Sequence, residues 1–535
     1  MKKIYLKTLL FSVMACFTAC DSLLDLNPED AISKETFFQD QNDFQLAING
    51  LYSGLRPLGE DALDGSYAGN LFWEVCGDAI YYKNSWTLPW YDISCGKLNP
   101  NTSGIQSVWG NLYNTINWAN TILEALERNG SKLDEKVRKE VLGQAHFVRA
   151  ICYIRLCSLW GAVPLVDRIL TPAESKLPRT SADEINTKLI IPDLTIAVNN
   201  LEETPYSGLK GRATKLSAMG MKVRAYLYNK SYRETVDAAL ELMEIAKTSK
   251  NVMFLEDYDK IFSNDNEDNP EILFCLKYTA GGSQQGSTFN TPFGGKVPGL
   301  AEGSMNGSWA TTALSPDYID SYPMIDGLPS DRSSKYDPEH PWKNRGARFE
   351  STFYIAGQSE VNGIMFDNTM VATISAKMAE DYPFNLDKGY MNEDSKVEWL
   401  KEDESDFIIL RYTDVLMMYA EAKAELNEID QSVYDILDAV RKRAGIAVVA
   451  RGQSQTEMIE TIRQERKWEF AFEGLRYFDI RRWGIAEKVF KDITAHKRYD
   501  LGSTKTFVAP NHYLWPLPQS AVDVNPNLLP DNTGY

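Results

Sequence analysis

The chain of 535 residues is long enough for one large domain or two to three ordinary ones. Its make-up, 44% hydrophobic and 24% charged, is ordinary globular composition. A formal net charge of −18 repels phosphate backbones and argues against nucleic acid as a partner, while leaving neutral ligands such as sugars open.

The first element is a leader. Lys2, Lys3 and Lys7 form a basic n-region, and Leu9 to Phe17 an apolar run of about nine residues. That run fits the ~7–15 of a signal-peptide core and falls short of the roughly 20 a spanning helix needs. Small residues Thr18 and Ala19 then precede Cys20, so residues 1–19 read as a signal peptide. The site resembles a bacterial lipobox, with Phe17 where leucine is usual. This implies a diacylglycerol on the Cys20 thiol and a further acyl chain on the new amino terminus. At about 0.8 kcal/mol per buried methylene, two chains already anchor a protein stably. Residues 21–30 are polar enough to act as a tether. Five cysteines lie beyond Cys20, and an odd number leaves at least one free thiol unless chains pair. Cys152 and Cys157 read as small core residues, whereas Cys76 and Cys95 could bridge.

Helical periodicity dominates residues 20–260. Ser33 is expected to cap a helix running to about Leu55, with Phe37, Phe44, Ala47, Ile48 and Leu51 on one side. Residues 64–105 break the pattern. Glycines and prolines are interspersed there with Trp73, Tyr81, Tyr82, Trp86, Trp90 and Tyr91, which predicts loops bearing exposed aromatics. Helices are expected again over 106–129, stopped by Asn129-Gly130, and over 133–160, stopped by Gly161. Trp109 and Trp118 lie on the first of these and read as core. The stretch ATKLSAMGMKVRAYLYNKSYRETVDAALELME predicts two helices joined near Asn229-Lys230. Ala218, Ala225 and Ala239 there are small residues that can receive bulky ones, as in tetratricopeptide pairs.

Residues 261–400 are irregular, dense in Gly, Ser, Asn and Pro from Gly281 to Gly307, with Trp309 following. Residues 401–535 return to helices: a pair over 410–444 broken by Asn427 and closed by Gly445, another over roughly 455–482, then a proline-rich extended tail. The expected fold is mainly α, a scaffold of tetratricopeptide-like pairs with loop-rich insertions and few short strands.

No phosphate-binding loop, dinucleotide fingerprint, nucleophile elbow or zincin histidine spacing occurs, so the sequence calls for no cofactor and no metal. His146, alone on a helix, reads as a core residue. The segment RQERKWEFAFEGLRYFDIRRWG places Glu465, Glu469 and Glu473 four residues apart, ~5–6 Å between neighbours on one helix face. Retaining glycosidases need two carboxyls ~5–5.5 Å apart, but on opposite sides of a cleft. The arginines in the segment would also lower carboxyl pKa values, which is wrong for a general acid. A packed helix with an ion-pair network is the expected reading.

The C-terminal segments LRYTDVLMMYAEAKAELN, VRKRAGI, IRQERKWEFAFEGLRYFDIRRWG and YLWPLPQSAVDVNPNLLPDNTGY resemble, in order, hallmark segments of the SusD/RagB family. WGNLYNTINWANTILEAL, AHFVRAICYIRLCSLWGAVPLV and GRATKLSAMGMKVRAYLYNKSY are similar to the same family upstream. KNRGARF departs from it, lacking an Asp-Pro between the arginines, which predicts a changed local turn. The resemblance implies a surface-exposed outer-membrane lipoprotein of a nutrient uptake system. It would bind oligosaccharides, or less often peptides, act as a lid on a SusC-like TonB-dependent transporter, and not be a catalyst.

Ligand residues must be chosen on physical grounds. An aromatic ring covers the apolar face of a pyranose while polar neighbours bond its hydroxyls. The candidates are Trp73, Asp78, Tyr81, Tyr82, Asn84, Trp86, Trp90 and Tyr91 in one region, and Asn306 and Trp309 in the other. A peptide receptor of the same fold, a surface glycosidase and a purely structural surface protein are the alternatives.

Overall fold

A computed structural model describes residues 37–56, 70–82, 88–279, 312–361, 364–371, 376–388, 406–499 and 504–535. The leader and Cys20 lie outside the described residues. The fold is mostly helical, with only short strand pairs.

Helix α1 (Gln41–Ser53) starts later than expected. Asp40, not Ser33, caps it, accepting from the Asn42 and Asp43 amides while Asp43 bonds back in a capping box. Phe38, at φ +65°, turns the chain immediately before. The predicted face holds: Phe44, Ile48 and Leu51 are buried, and Phe37 and Ala47 pack against them. Next come α2 (Asn70–Cys76), β1 (Ile80–Tyr82) and α3 (Leu88–Ser94), where the sequence predicts loops.

Helices α4 (Ser103–Asn129) and α5 (Glu135–Trp160) end where expected, at Gly130 and at Gly161. Trp109 packs on Trp160, whereas Trp118 is 48% exposed. The expectation of a core Trp118 is thereby corrected: its position falls outside the inward arc of α4 even though it lies on the same helix. His146 is indeed internal, 2.6 Å from Asp193. A π turn (Asn186–Ile190) leads into α6 (Ile191–Asn200). Helices α7 (Lys215–Tyr228) and α8 (Tyr232–Ala246) form the predicted pair, and Lys230 at φ +59° makes the joint. Ala218, Ala225 and Ala239 are buried between neighbours.

The irregular middle supplies β2 (Ile272–Leu276), β3 (Thr312–Leu314), α9 (Pro316–Asp320), β4 (Phe353–Ile355), β5 (Glu360–Val361), β6 (Ile364–Met365) and β7 (Phe384–Leu386). β2 pairs antiparallel with β8 (Phe407–Arg411), which feeds directly into α10 (Tyr412–Glu425). Helix α11 (Gln431–Arg443) follows. Gly346, in the departing KNRGARF turn, sits at φ +83°, and a Cβ there would meet the Ala444 carbonyl at 2.5 Å. Only glycine fits that approach.

The single helix expected over 455–482 is two, α12 (Gln455–Glu469) and α13 (Arg476–Arg482), with Phe472 and Gly474 at positive φ between them. The reason lies in tertiary hydrogen bonding. The Glu469 carbonyl accepts from Arg411, Lys388 and the Tyr258 hydroxyl, and the Ala471 carbonyl accepts from Lys388. Buried cations thus take carbonyls that a continuous helix would have used. Helix α14 (Ala486–Asp492) follows. The tail folds back on α5: Trp160 Nε1 donates to the Pro516 carbonyl, and the Asn532 amide donates to the Trp160 and Trp515 carbonyls. One core therefore draws on residues from Phe38 to Leu528.

Candidate functional site

The two aromatic regions, some 200 residues apart in sequence, meet through β1 and β3. Ile80, Tyr81 and Tyr82 pair antiparallel with Leu314, Ala313 and Thr312. The chain leaves Tyr82 into 83–87 and enters Thr312 from 280–311, so both segments join the sheet at the same end. Asn84, Trp86, Asn306 and Trp309 belong to those segments and lie outside the described residues, as do the side chains of Tyr82 in β1 and Trp90 in α3.

Three of the proposed ligand residues are instead part of the frame. Trp73 is 1% exposed, stacked on Tyr477 and packed against Phe478 and Trp515, with the Arg155 guanidinium 5.0 Å from its ring. Tyr81 is fully buried, in a cluster with Ala313, Ile480 and Phe490, with the Lys505 ammonium 5.4 Å from its ring. Asp78 accepts from Arg476 Nε at 2.8 Å and Nη2 at 3.1 Å, and Lys467 lies 3.7 Å away. Burial alone would raise the Asp78 carboxyl, but Arg476 and Lys467 overcome it and hold it well below the ordinary carboxylate range. Trp73 and Tyr81 offer no ring face to a sugar in this arrangement, and the Asp78 carboxylate is taken up by Arg476 and Lys467. An aromatic next to glycine reads as a loop residue in sequence, yet here Trp73 and Tyr81, on either side of Gly77, point inward from short elements. Tyr91 is half-buried against the core, with the Lys97 ammonium 5.4 Å from its ring.

The same corner buries a group that sequence reasoning missed. Glu74, on α2, is enclosed; its Oε1 accepts from the Gly474 amide and its Oε2 has no partner among the described residues. Burial pushes its carboxyl up to about 8. At the opposite end of β1 and β3 lies a polar cleft of about 320 Å³, bordered by Asp78, Asp317, Gln464, Lys467 and Lys488. Burial lowers the Lys467 ammonium to about 8, and it sits 4.5 Å from the Tyr318 ring. These residues come from separate elements, so no local motif could have signalled the cleft.

The glutamates of the glycosidase-like spacing are locked in charge pairs. Glu465 meets Arg348 at 2.7 Å and Arg441 at 2.8 Å. Glu469 meets Arg443 at 2.7 Å, Arg411 at 2.8 Å and Arg348 at 2.9 Å. Glu473, beyond the end of α12, meets Lys388 at 2.6 Å and Arg411 at 2.8 Å. Burial would raise Glu469, but Arg443, Arg411 and Arg348 together hold it far below the ordinary range. It cannot serve as a general acid. Cys76, Cys95, Cys152, Cys157 and Cys275 are all free thiols. Among the described residues no helix is long and apolar enough to cross a membrane.

Residues 270–535 match the model of the SusD family, and residues 23–227 match a second model described as starch-binding, associating with outer membrane. The chain belongs to the SusD-like family. It is 26% identical to the SusD-like protein P25 of Formosa agariphila, with 98% of each chain covered. A SusD-like protein of Bacteroides ovatus is 23% identical over 87% of this chain and 80% of its own. Among solved structures, a SusD-like carbohydrate binding protein of Bacteroides fragilis superposes with a TM-score of 0.78 at 26% identity, covering 92% of this chain and 100% of that one. A laminarin binding SusD-like protein gives 0.71 at 22% identity, over 93% and 100%. For this SusD-like chain the family match accounts for the order of the C-terminal segments, while the β1–β3 pairing is what gathers its two aromatic regions.

Proposed function

We propose that this SusD-like protein captures oligosaccharides at the end of the β1–β3 sheet where segments 83–87 and 280–311 attach. The observation that carries the reading is that pairing, which joins two Trp-bearing segments to one frame. Asn84, Trp86, Trp90, Asn306 and Trp309 are the ligand candidates retained, with Tyr82 and Tyr91 beside them. Trp73, Tyr81 and Asp78 form the packed base beside which those segments join the sheet. The carbohydrate-binding relative of Bacteroides fragilis supports the ligand class. The protein acts by binding rather than turnover, since the glutamates with glycosidase-like spacing are tied up in arginine pairs.

In the same proposal, Cys20 carries the lipid that holds the mature chain on the outer face of the outer membrane. The bound glycan is passed to a SusC-like TonB-dependent transporter on which the protein closes as a lid. Family membership and the lipobox resemblance support this part.

The test is calorimetric titration of the chain from residue 21 onward against host, plant and microbial oligosaccharides and mixed peptides. Binding of a sugar that is lost in Trp86→Ala, Trp90→Ala or Trp309→Ala, with folding intact, is the expected result. Binding of peptides alone would overturn the ligand class. Pull-down of a SusC-like barrel from outer membranes, dependent on Cys20, tests the partner and the anchor.

A further inference from the structure

A cavity of about 290 Å³ lies between α5, the π turn, α7 and α13; of these, α5 and α13 also pack on Trp73 in the β1–β3 corner, through Arg155 and Phe478. We propose that it is a second binding site, for a polyhydroxy carboxylate of monosaccharide size, a uronic acid being the type.

Its charge is the first reason. The protein carries a formal net charge of −18, yet the cavity's lining includes Lys230, Arg481 and Arg482 and no Asp or Glu. Arg482 is neutralised by Glu421 and Asp479. Arg481 is not: it is 6% exposed and has no carboxylate within ion-pair distance among the described residues. Its Nη2 donates to main-chain carbonyls, and its enclosed Nε and Nη1 have no hydrogen-bond partner among the described residues. A buried guanidinium without a counter-ion favours an anion nearby, acting through protein of low dielectric rather than by contact. Lys230, exposed at the rim and without an ion pair among the described residues, adds to the same field.

Unused hydrogen-bonding groups are the second reason. Asn186 is 6% exposed and lines the cavity, yet its side-chain amide makes no hydrogen bond among the described residues. It opens the π turn, a local widening of the helix that is frequent at functional sites. The Tyr228 hydroxyl, also lining the cavity, has no hydrogen-bond partner among the described residues either. Ile190 and Phe478, also in the lining, offer apolar surface to a C–H face. Cationic potential, free amide and phenol groups and an apolar wall together match a sugar acid better than a neutral sugar or a bare inorganic anion.

The experiment titrates the chain from residue 21 onward with glucuronate and galacturonate, with glucose and sulfate as comparison ligands, at low and at physiological salt. Saturable uronate binding that weakens with salt, with glucose and sulfate much weaker, is expected. Asn186→Leu, which breaks no protein hydrogen bond, should weaken uronate about tenfold or more. Lys230→Asn, which tolerates the positive φ, should weaken it about fivefold. Both variants should leave oligosaccharide binding at the β1–β3 end unchanged. No uronate binding, equal binding of glucose, or uronate binding that neither variant alters would overturn the proposal.

Discussion

The network around Glu469 and the corner around β1 and β3 both bury glutamate among aromatic rings, but the two glutamates end in opposite charge states. Glu469 faces three guanidiniums and is held ionised. Glu74 receives one amide hydrogen bond, and burial leaves it neutral up to about pH 8. Burial sets the cost of the charge, and the number of cations within reach decides whether it is met. The network ties α12 to β8 through Arg411 and to α11 through Arg443. The corner is a frame whose described inner rings, Trp73 and Tyr81, are buried.

Four substitutions would break or sharpen this contrast. Glu469→Ala should have the largest effect, roughly 3–5 kcal/mol in urea unfolding, because it removes the one carboxylate that Arg348, Arg411 and Arg443 share. A loss below about 1 kcal/mol would mean that the network is not what holds these elements together. Trp73→Ala should cost about 3 kcal/mol through the cavity left beside Tyr477, Phe478 and Trp515.

Glu74→Gln should change the pH dependence. The Glu74 carboxyl is raised from 4.5 to about 8 in the folded protein, so the stability it contributes is full below pH 4.5 and is lost as pH rises toward 8. The amide cannot ionise, so the variant should be more stable than the parent by roughly 4–5 kcal/mol at pH 8.5 and nearly equal at pH 4.5. Parallel stability curves at both pH values would show that Glu74 is ionised after all. Trp86→Ala should move unfolding least, within about 0.5 kcal/mol, while lowering oligosaccharide affinity about tenfold. If Trp86→Ala instead destabilised as much as Trp73→Ala, the division between frame and ligand residues would fail.

Much of the scaffold was legible in the chain. Gly130, Gly161 and Gly445 end helices, and the Asn229-Lys230 joint separates α7 from α8, because these signals are local. The ion network was legible too, since acids and arginines alternate within one segment. Asp40 as the cap of α1 was not, because the turn at Phe38 that sets where this helix starts leaves no local signal; Ser33 lies outside the described residues.

Sequence by itself determined the helical pairs, the family and the pool of aromatic residues, all of which depend on neighbours along the chain. Tertiary structure alone decided which aromatics are buried, where α12 stops, and that residues 80–82 meet 312–314. It also placed Arg481 and Asn186 around one cavity, with no carboxylate within ion-pair distance of Arg481 among the described residues. Inward and outward rings share one side-chain chemistry. What separates them is the packing of distant elements, which leaves no periodic trace in a segment of irregular chain.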